Sequence, residues 1–267
     1  MDRKEAVRHL LDARPFALAT DFDGTVSDIA PTPEQARIHP RCRDSLAELS
    51  EQLPLVAVVS GRHVEDVRQL VGLPGIVYLG NHGLERWEDG TTYVEPSASE
   101  QFLVIRGILE KARVQLNIPG LLFEEKGTGA SIHYRSTSSP SAAKTQIISL
   151  LSELVKGTGI KVVEGRRVVE LRPALEVNKG TALSELLCRY DVRGAIYAGD
   201  DRTDLDAFAG LRRWAGQEGR RAVTVGVISA EMPPELGEQA DVTVDGVEGW
   251  AHLLDALAEA MHASSAR

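Results

Sequence analysis

Short runs of apolar residues alternate with amphipathic stretches along most of the chain. Runs that are apolar throughout are typical of strands buried on both faces of a sheet, and they predict strands at 16–20, 55–60, 76–80, 194–199, 222–227 and 241–244. Apolar residues at helical spacing lie between these runs and predict helices at about 40–52, 63–71, 179–190, 203–213 and 247–262. Because this alternation is typical of a parallel sheet with helices on both faces, we predict an α/β fold with a Rossmann-like core.

The middle of the chain has a different pattern, in which each of two helical stretches precedes a hairpin. The helices are predicted at about 98–115 and 140–156, and the hairpins at 121–135 and, turning around Gly165, at 160–173. Helix, hairpin, helix, hairpin is an α+β order, so we predict an inserted domain. The predicted division of the chain is 1–98 for the first part of the core, 99–174 for the insert and 175–267 for the second part of the core.

Composition narrows the classes of function. The chain has 267 residues, 43% hydrophobic and 26% charged, which is enough for one large or two smaller globular domains. Its 39 acidic and 30 basic residues give a net charge of -9, which argues against a nucleic-acid partner because such a partner needs a basic face. No apolar stretch reaches the ~20 residues that span a bilayer, so we expect no membrane partner. The two cysteines, Cys42 and Cys188, have no metal-ligand spacing, and a reducing, cytoplasmic location is expected.

Two aspartates flank Phe22 at the end of the first predicted strand, in LATDFDGTVSDI (18–29). Ligands bind at the carboxyl ends of the strands in open α/β sheets, and paired carboxylates there require a compensating positive charge. Asp21 is therefore a candidate nucleophile, and Asp23 is a candidate general acid and base. A simple turn with helix-capping residues is the alternative, and an Asp-Gly pair alone would favour it.

Further polar residues follow other predicted strands or begin helices. Ser60 in VVSGR could bind a phosphoryl oxygen, and Lys179 in NKG begins a helix, where a cation indicates an anionic partner. Asp200, Asp201 and Asp204 in AGDDRTDLDAF need a counter-ion, for which Mg²⁺ is the natural choice. Each motif alone also fits a helix cap, an exposed lysine or a solvated acidic turn. Together they are the parts required for phosphoryl transfer.

The order D-x-D-G-T, Ser, Lys, G-D-D-x-x-D resembles the haloacid dehalogenase superfamily of phosphatases. Within it, four segments resemble the trehalose-6-phosphate phosphatase family, and these are GNHGLE (80–85), FEEKGTGASIHYR (123–135), VVELRP with NKG (168–180) and GDDRTDLDAF (199–208). The resemblance runs from about residue 16 to residue 250. It implies a core of the haloacid dehalogenase type, an insert that forms a mobile cap, Mg²⁺ as cofactor, and trehalose and phosphate as products. A functional pairing with a trehalose-phosphate synthase is a further expectation.

The resemblance also implies a role for each site residue. Mg²⁺ would be held by Asp21, Asp200 and the carbonyl of Asp23. Asp21 would form an aspartyl phosphate, with Asp23 as acid and base. The phosphoryl oxygens would be bound by Ser60 and Lys179, and Asp204 would orient Lys179 or a metal-bound water. The expected substrate-binding residues are Thr25, Gly61, Arg62, Asn81, His82, Glu124, Lys126, Arg135, Glu170 and Asp201.

Alternatives remain open at this point. The substrate could be another sugar phosphate, such as sucrose 6-phosphate or mannosyl phosphoglycerate, or the enzyme could be a phosphotransferase or mutase. The chain could also be a non-catalytic regulatory partner of a trehalose-phosphate synthase, although the intact Asp21, Asp23, Lys179 and Asp200 argue against this. One departure from the family, Asp28 where many relatives carry a proline-like residue, concerns the flap after the nucleophile and hence substrate detail.

Overall fold

The computed structural model describes residues 1–217, 219–230 and 232–265, and it divides into two compact units. The core unit combines Met1–Thr92 with the segment that begins at Val177, and the inserted unit is Tyr93–Glu176. The sequence places the borders at 98/99 and 174/175, so a few residues on either side of the insert lie with it rather than with the core.

The secondary structure follows the predicted alternation. The strands are β1 (Phe16–Thr20), β2 (Leu55–Val59), β3 (Val77–Gly80), β4 (Glu85–Glu88), β5 (Thr91–Val94), β6 (Leu122–Glu125), β7 (Ala130–His133), β8 (Ile160–Gly165), β9 (Val168–Pro173), β10 (Gly194–Gly199), β11 (Arg221–Ile228) and β12 (Val242–Asp245). The helices are α1 (Arg3–Leu11), α2 (Pro40–Gln52), α3 (Val64–Val71), α4 (Pro96–Gln115), α5 (Pro140–Leu154), α6 (Lys179–Arg189), α7 (Arg202–Ala215), α8 (Pro234–Gln239) and α9 (Gly246–Ser265). Every helix among the described residues is too short or too polar to cross a lipid bilayer.

The larger sheet has the strand order β12-β11-β10-β1-β2-β3-β4-β5. All of these strands lie in the core unit except β5, which crosses the border between Thr92 and Tyr93. The six strands from β12 to β3 are parallel, which confirms the predicted parallel core. The sheet also has an antiparallel extension, β4 and β5, that the sequence analysis missed. Neither strand is an apolar run, since β5 is exposed throughout and β4 is half-buried, and so the pattern gave no strand signal there.

Helices cover both faces of this sheet, as predicted. β1 is buried along its whole length, and its side chains alternate between two apolar clusters. Leu18 packs with residues of α2, α3 and α9, whereas Ala17 and Ala19 pack with residues of α6 and α7. Since β1 lies between β10 and β2, the carboxyl ends of these three strands meet at one edge of the sheet.

The inserted unit is a four-stranded antiparallel sheet, in the order β6-β7-β9-β8, with α4 and α5 on one face. Apolar side chains such as Ile132 and Val169 face the helices. The opposite face carries charged and polar residues. The second hairpin turns after Gly165, at Arg166 and Arg167, slightly later than the sequence pattern predicts.

Candidate active site

Three of the predicted site residues follow neighbouring strands of the core sheet. Asp21 comes directly after β1, and its backbone N–H donates to the carbonyl oxygen of Ala198 in β10 at 2.8 Å. Asp200 follows β10, and Ser60 follows β2, with the Ser60 N–H donating to Leu79 in β3 at 2.8 Å. The backbone pairing of the sheet therefore extends into Asp21 and Ser60 and fixes their positions.

A buried cluster of carboxylates surrounds one ammonium group at this edge. One carboxylate oxygen from each of Asp21, Asp200 and Asp204 lies within 4.8 Å of the others, and all three residues are buried. Lys179 is only 3% exposed, and its Nζ donates to Oδ1 of Asp21 at 2.6 Å and to Oδ1 of Asp204 at 2.7 Å. The structure thus brings together residues from three separate segments of the sequence, since only Asp200 and Asp204 are near each other in the chain.

The carboxylate of Asp204 has hydrogen-bond donors on both oxygens. Oδ1 accepts from Lys179 and from the Tyr197 hydroxyl at 2.6 Å. Oδ2 accepts from the backbone N–H groups of Asp200, at 3.0 Å, and Asp201, at 2.9 Å. Asp204 is therefore held in one orientation, in which it fixes the ammonium group of Lys179. The sequence analysis missed Tyr197, although a hydroxyl in an otherwise apolar strand was a usable signal.

Close contacts between helices and loops shape this cluster. A Cβ on Gly180 would overlap the carbonyl oxygen of Asp206, and a Cβ on Gly210 would overlap the carbonyl oxygen of Gly180. Helices α6 and α7 therefore approach closely enough to bring Lys179 beside Asp204. Gly24 has φ +84°, and a side chain there would overlap the Asp200 carboxylate. The glycine of the D-x-D-G-T motif is therefore required both by its backbone conformation and by space.

The electrostatics of the cluster show an excess of negative charge. Burial raises the pKa of Asp21 well above its usual range, the carboxylates of Asp204 and Asp200 raise it further, and Lys179 acts in the opposite direction. Burial disfavours the charged form of Lys179, but Asp204 and Asp21 outweigh this and raise its pKa. Three buried carboxylates against one ammonium group leave room for more positive charge.

The chemistry of these donors fits a hard divalent cation. The available atoms are carboxylate oxygens, which are the ligands that Mg²⁺ prefers. Because both oxygens of Asp204 already accept from protein donors, Asp21 and Asp200 are the side chains best placed to hold an ion. The Thr25 hydroxyl donates to Oδ1 of Asp200 at 3.4 Å and orients that carboxylate.

Asp23 lies beside this cluster and is paired with Arg62. Arg62 Nε and Nη2 donate to the two Asp23 carboxylate oxygens, each at 2.7 Å, and Nη1 donates to the carbonyl oxygen of Pro33 at 2.9 Å. The guanidinium also lies 5.5 Å from the ring centroid of Phe22. The Asp23 side chain is 39% exposed, so this carboxylate is accessible in a way that Asp21 is not.

The loop after β3 lies against the Ser60–Arg62 segment. The backbone N–H groups of Asn81 and His82 donate to the carbonyl oxygens of Arg62, at 2.7 Å, and Ser60, at 2.9 Å. Asn81 and His82 have φ of 46° and 57°, a conformation that costs about 1–3 kcal/mol per residue and often marks a functional loop. A Cβ on Gly61 would lie 2.6 Å from the His82 ring, so this contact needs glycine.

Glu85 holds this loop and was missed by the sequence analysis. It is buried, its Oε1 accepts from the Asn81 side chain at 2.7 Å, and its Oε2 accepts from the backbone N–H of Val64 at 2.8 Å. The same carboxylate thereby fixes the start of α3 and the loop that contacts Ser60. The remaining predicted residue in the core, Asp201, caps α7 by accepting from the Thr203 N–H at 3.1 Å.

In the inserted unit, three of the four predicted residues lie together on the charged face. Lys126 Nζ lies 3.0 Å from Oε1 of Glu170 and 4.0 Å from Oε2 of Glu124. Arg135 follows β7 and is exposed. Two residues that the sequence analysis missed join the group, since His133 pairs with Glu124 and Arg172 pairs with Glu170.

Comparison with known proteins shows the family of the chain. The family described as trehalose-phosphatase matches residues 19–241 of the chain. The trehalose-phosphate phosphatase of Mycobacterium bovis is 37% identical over 205 residues, which are 74% of this chain and 52% of that protein. The chain thus spans about half the length of the curated relatives that it matches.

Solved structures share the fold. The C-terminal domain of a trehalose-6-phosphate phosphatase from C. albicans is 21% identical, with a TM-score of 0.79 and coverage of 96% of both chains. A haloacid dehalogenase-like hydrolase from Bacteroides thetaiotaomicron is 19% identical, with a TM-score of 0.63 and coverage of 90% of this chain and 98% of that one. At these identities the likeness concerns the fold, which is the haloacid dehalogenase type that the sequence motifs imply.

Proposed function

Because the chain belongs to the trehalose-phosphatase family, we propose that it is a Mg²⁺-dependent phosphatase that hydrolyses trehalose 6-phosphate to trehalose and phosphate. The observation that carries this proposal is the buried cluster in which Lys179 joins Asp21 and Asp204 at the strand ends. A buried carboxylate fixed by an ammonium group, with an accessible second carboxylate two residues later, suits a nucleophile and its acid–base partner.

Asp21, Asp200 and the carbonyl of Asp23 would hold the metal ion. When bound, Mg²⁺ would neutralise part of the phosphate charge and shield the carboxylates from one another. The excess negative charge of the cluster and its oxygen donors support this assignment. Asp204 would not ligate the ion directly, because its oxygens are engaged by Lys179, Tyr197 and backbone donors.

The proposed reaction has two displacements at phosphorus. In the first, a carboxylate oxygen of Asp21 forms a bond to phosphorus while the ester bond to the sugar oxygen breaks, and that oxygen takes the proton of the Asp23 carboxyl group. In the second, water attacks the phosphorus of the aspartyl phosphate, Asp23 accepts the proton of the water, and the bond to Asp21 breaks. Phosphate and trehalose are released, and both aspartates return to their starting states.

Fixed donors would stabilise the charge on the phosphoryl group. Ser60 and Lys179 would bind its oxygens, together with the backbone N–H groups of Phe22 and Asp23. The Gly24 N–H donates to the carbonyl oxygen of Ser27 at 2.7 Å and shapes the turn. The other predicted contacts from the core are retained as part of the proposal, namely Thr25, Gly61, Arg62, Asn81, His82 and Asp201. The hydrogen bonds between the Asn81–Gly83 loop and the Ser60–Arg62 segment support a rigid phosphate-binding edge.

The inserted unit would serve as a cap that reads the sugar. Glu124, Lys126 and Glu170 form one cluster of side chains on the charged face, and carboxylates and ammonium groups are good partners for sugar hydroxyls. Arg135 is assigned to the same role from the family resemblance. Binding energy from such remote contacts can align the phosphoryl group for attack.

A cytoplasmic location and a functional pairing with a trehalose-phosphate synthase complete the proposal. The location is supported by the two cysteines, which are free thiols in the structure, one buried and one exposed. The pairing is suggested by the chemistry alone, because a reaction that makes trehalose 6-phosphate must precede one that consumes it.

The proposal is tested by phosphate release from a panel of sugar phosphates in the presence of Mg²⁺. Trehalose 6-phosphate should have the highest kcat/KM, and excess chelator should abolish its hydrolysis. A higher kcat/KM for sucrose 6-phosphate or mannosyl phosphoglycerate would change the assigned substrate but not the proposed mechanism. No release from any phosphate ester by the folded protein would favour the non-catalytic alternative.

A further inference from the structure

We propose that Arg172 and His133 are positioning residues that hold Glu170 and Glu124, respectively, in the orientation that reads the sugar. The inference rests on the proposed function, which assigns these two carboxylates to the substrate, and it extends that function to two residues with no assigned role. It concerns only the charged face of the inserted unit.

The strand register places the two carboxylates in one row across the sheet. Glu124 in β6 lies opposite Ser131 in β7, and Ser131 lies opposite Glu170 in β9. Side chains in register on adjacent strands share a face, so this row lies on the side away from α4 and α5. The face is therefore a surface of charged groups that the sheet itself keeps in order.

Arg172 fixes Glu170 from one side. It lies two residues further along β9, on the same face, and its Nε donates to Oε2 of Glu170 at 2.7 Å while Nη2 donates to the same oxygen. On the other side, Oε1 of Glu170 accepts from Lys126 at 3.0 Å and from the Ser131 hydroxyl at 3.4 Å. Each carboxylate oxygen thus has its own cation, which selects one rotamer of Glu170.

His133 acts on Glu124 in the same way. Its Nε2 lies 2.7 Å from Oε2 of Glu124, across the β6–β7 pair. Lys126 lies 4.0 Å from the same oxygen, so it stands between the two carboxylates. Since the two glutamates would otherwise repel each other, the basic side chains both separate and orient them.

These contacts suit a positioning role better than a stabilising one. The His133 and Glu124 side chains are each about a quarter exposed, and ion pairs at such sites contribute little to folding. The Arg172 side chain is 23% exposed but that of Glu170 only 10%, so thermal unfolding of Arg172→Ala measures what this pair adds to stability. A carboxylate offers about four acceptor sites, and Lys126, Ser131 and the two donors of Arg172 occupy those of Glu170. The Ser131 contact is the longest, at 3.4 Å, and is the one that a sugar hydroxyl would replace. Holding a flexible glutamate in its binding rotamer before the ligand arrives reduces the entropy lost on binding.

A double-mutant cycle on Arg172 and Glu170 tests whether one acts through the other. The variants are Arg172→Ala, Glu170→Ala, the double variant, and Arg172→Lys. Lys161 is the matched control, because it is the register partner of Arg172 on β8 and is an exposed cation. For each variant, kcat/KM is measured with trehalose 6-phosphate and with p-nitrophenyl phosphate, and thermal unfolding is followed in parallel.

The inference predicts a loss that is confined to the sugar substrate and is not additive. Arg172→Ala should lower kcat/KM for trehalose 6-phosphate by about tenfold, mainly through KM, and should change the aryl phosphate by less than about twofold. The double variant should match Glu170→Ala, because removing Arg172 matters only while Glu170 is present. Arg172→Lys should recover part of the loss, and Lys161→Ala should behave as wild type.

The second pair is tested by the same logic with a conservative replacement. His133→Ala should weaken use of trehalose 6-phosphate, whereas His133→Gln, which keeps a donor near the Nε2 position, should recover part of the loss. In the Glu124→Ala background, removal of His133 should have no further effect.

Several results would overturn the inference. Additive losses in either cycle would mean that Arg172 or His133 contacts the sugar itself, and equal losses on both substrates would mean that it supports the fold. No loss on either substrate would mean that the pair is an ordinary surface contact. Failure of the proposed substrate assignment gives a different result, because the wild-type protein then prefers another sugar phosphate. In that case both double-mutant cycles are measured with the preferred sugar phosphate. A wild type that hydrolyses only the aryl phosphate would reject both the proposed function and this inference.

Discussion

The core unit buries three carboxylates around one ammonium group, whereas the inserted unit balances two carboxylates against lysine, arginine and histidine side chains. The core cluster is inaccessible and has an excess of negative charge. The charged face of the insert is partly exposed and nearly neutral. Both clusters are built around carboxylates, but only the core cluster needs a further cation.

The two clusters also differ in what holds them. In the core, Asp204 accepts from two backbone N–H groups, and the backbone of Asp21 pairs with β10. In the insert, side chains hold the glutamates, since Glu170 accepts from Lys126 and Arg172, and His133 pairs with Glu124. Geometry fixed by the backbone suits a reaction that tolerates little displacement, and side-chain geometry suits a surface that selects among substrates. This difference supports the proposal that the core performs the chemistry and that the insert reads the substrate.

The largest effect should follow from removing the proposed nucleophile. Asp21→Asn is nearly isosteric and should fold, but it should lower kcat by about 10⁵-fold or more on every phosphate ester, as loss of a nucleophile does elsewhere. Steady-state assays with trehalose 6-phosphate and p-nitrophenyl phosphate measure this. Substantial hydrolysis by the purified variant would remove the chemistry from the core cluster.

Removing the central cation of each cluster should give very different losses of stability. Lys179→Met leaves three buried carboxylates without an ammonium group and should lower the free energy of unfolding by about 3–5 kcal/mol. Lys126→Met in the insert should cost less, about 1–2 kcal/mol, because Arg172 still pairs with Glu170 and His133 still pairs with Glu124. Denaturant unfolding without metal compares the two variants, and equal losses would contradict the distinction between the clusters.

Mg²⁺ should stabilise the folded state through the core cluster alone. At about 100 times Kd, binding adds about 2.7 kcal/mol to the free energy of unfolding and should raise Tm by about 5–10 °C. Asp200→Asn should lose this shift, and Glu170→Gln in the insert should keep it. Thermal scans with Mg²⁺ and with chelator provide the test, and loss of the shift in the insert variant would argue against the metal assignment.

The smallest effect should come from the sugar-reading residues. Glu124→Ala and Lys126→Ala should each lower kcat/KM for trehalose 6-phosphate by about tenfold to a hundredfold, the effect of losing one charged hydrogen bond. The small aryl phosphate should be hydrolysed nearly as well as by the wild type, because it lacks the sugar. Equal losses on both substrates would indicate a structural role for these residues.

Local sequence signals located the strand ends at which several of the predicted core residues lie. Apolar runs located β1, β2 and β10, and Asp21, Ser60 and Asp200 follow from where those runs end. Lys179 approaches Asp204 because α6 and α7 pack closely against each other. The sequence could not show which further side chains contact these residues. Tyr197 is recognisable as a polar residue in an apolar strand, but the sequence does not show that its hydroxyl donates to Asp204.

The insert was harder to predict because its contacts depend on strand register. Alternation along β9 shows that Glu170 and Arg172 share a face, but not that they pair. The contact of His133 with Glu124 depends on how β6 pairs with β7, which no local pattern specifies. The β4–β5 hairpin was missed for a related reason, because its exposed residues carry no apolar run.

The central claim, that the core cluster performs the chemistry through Asp21, is tested most directly by trapping the covalent intermediate. Wild-type protein with Mg²⁺ is mixed with trehalose 6-phosphate under single-turnover conditions, quenched, and treated with borohydride, which reduces an aspartyl phosphate to homoserine. Mass spectrometry of the peptide that contains residues 18–29 should then show homoserine at position 21 in the wild type and none in Asp21→Asn. Turnover of the substrate by the wild type with no modification at Asp21, or with modification at another carboxylate, would contradict the account.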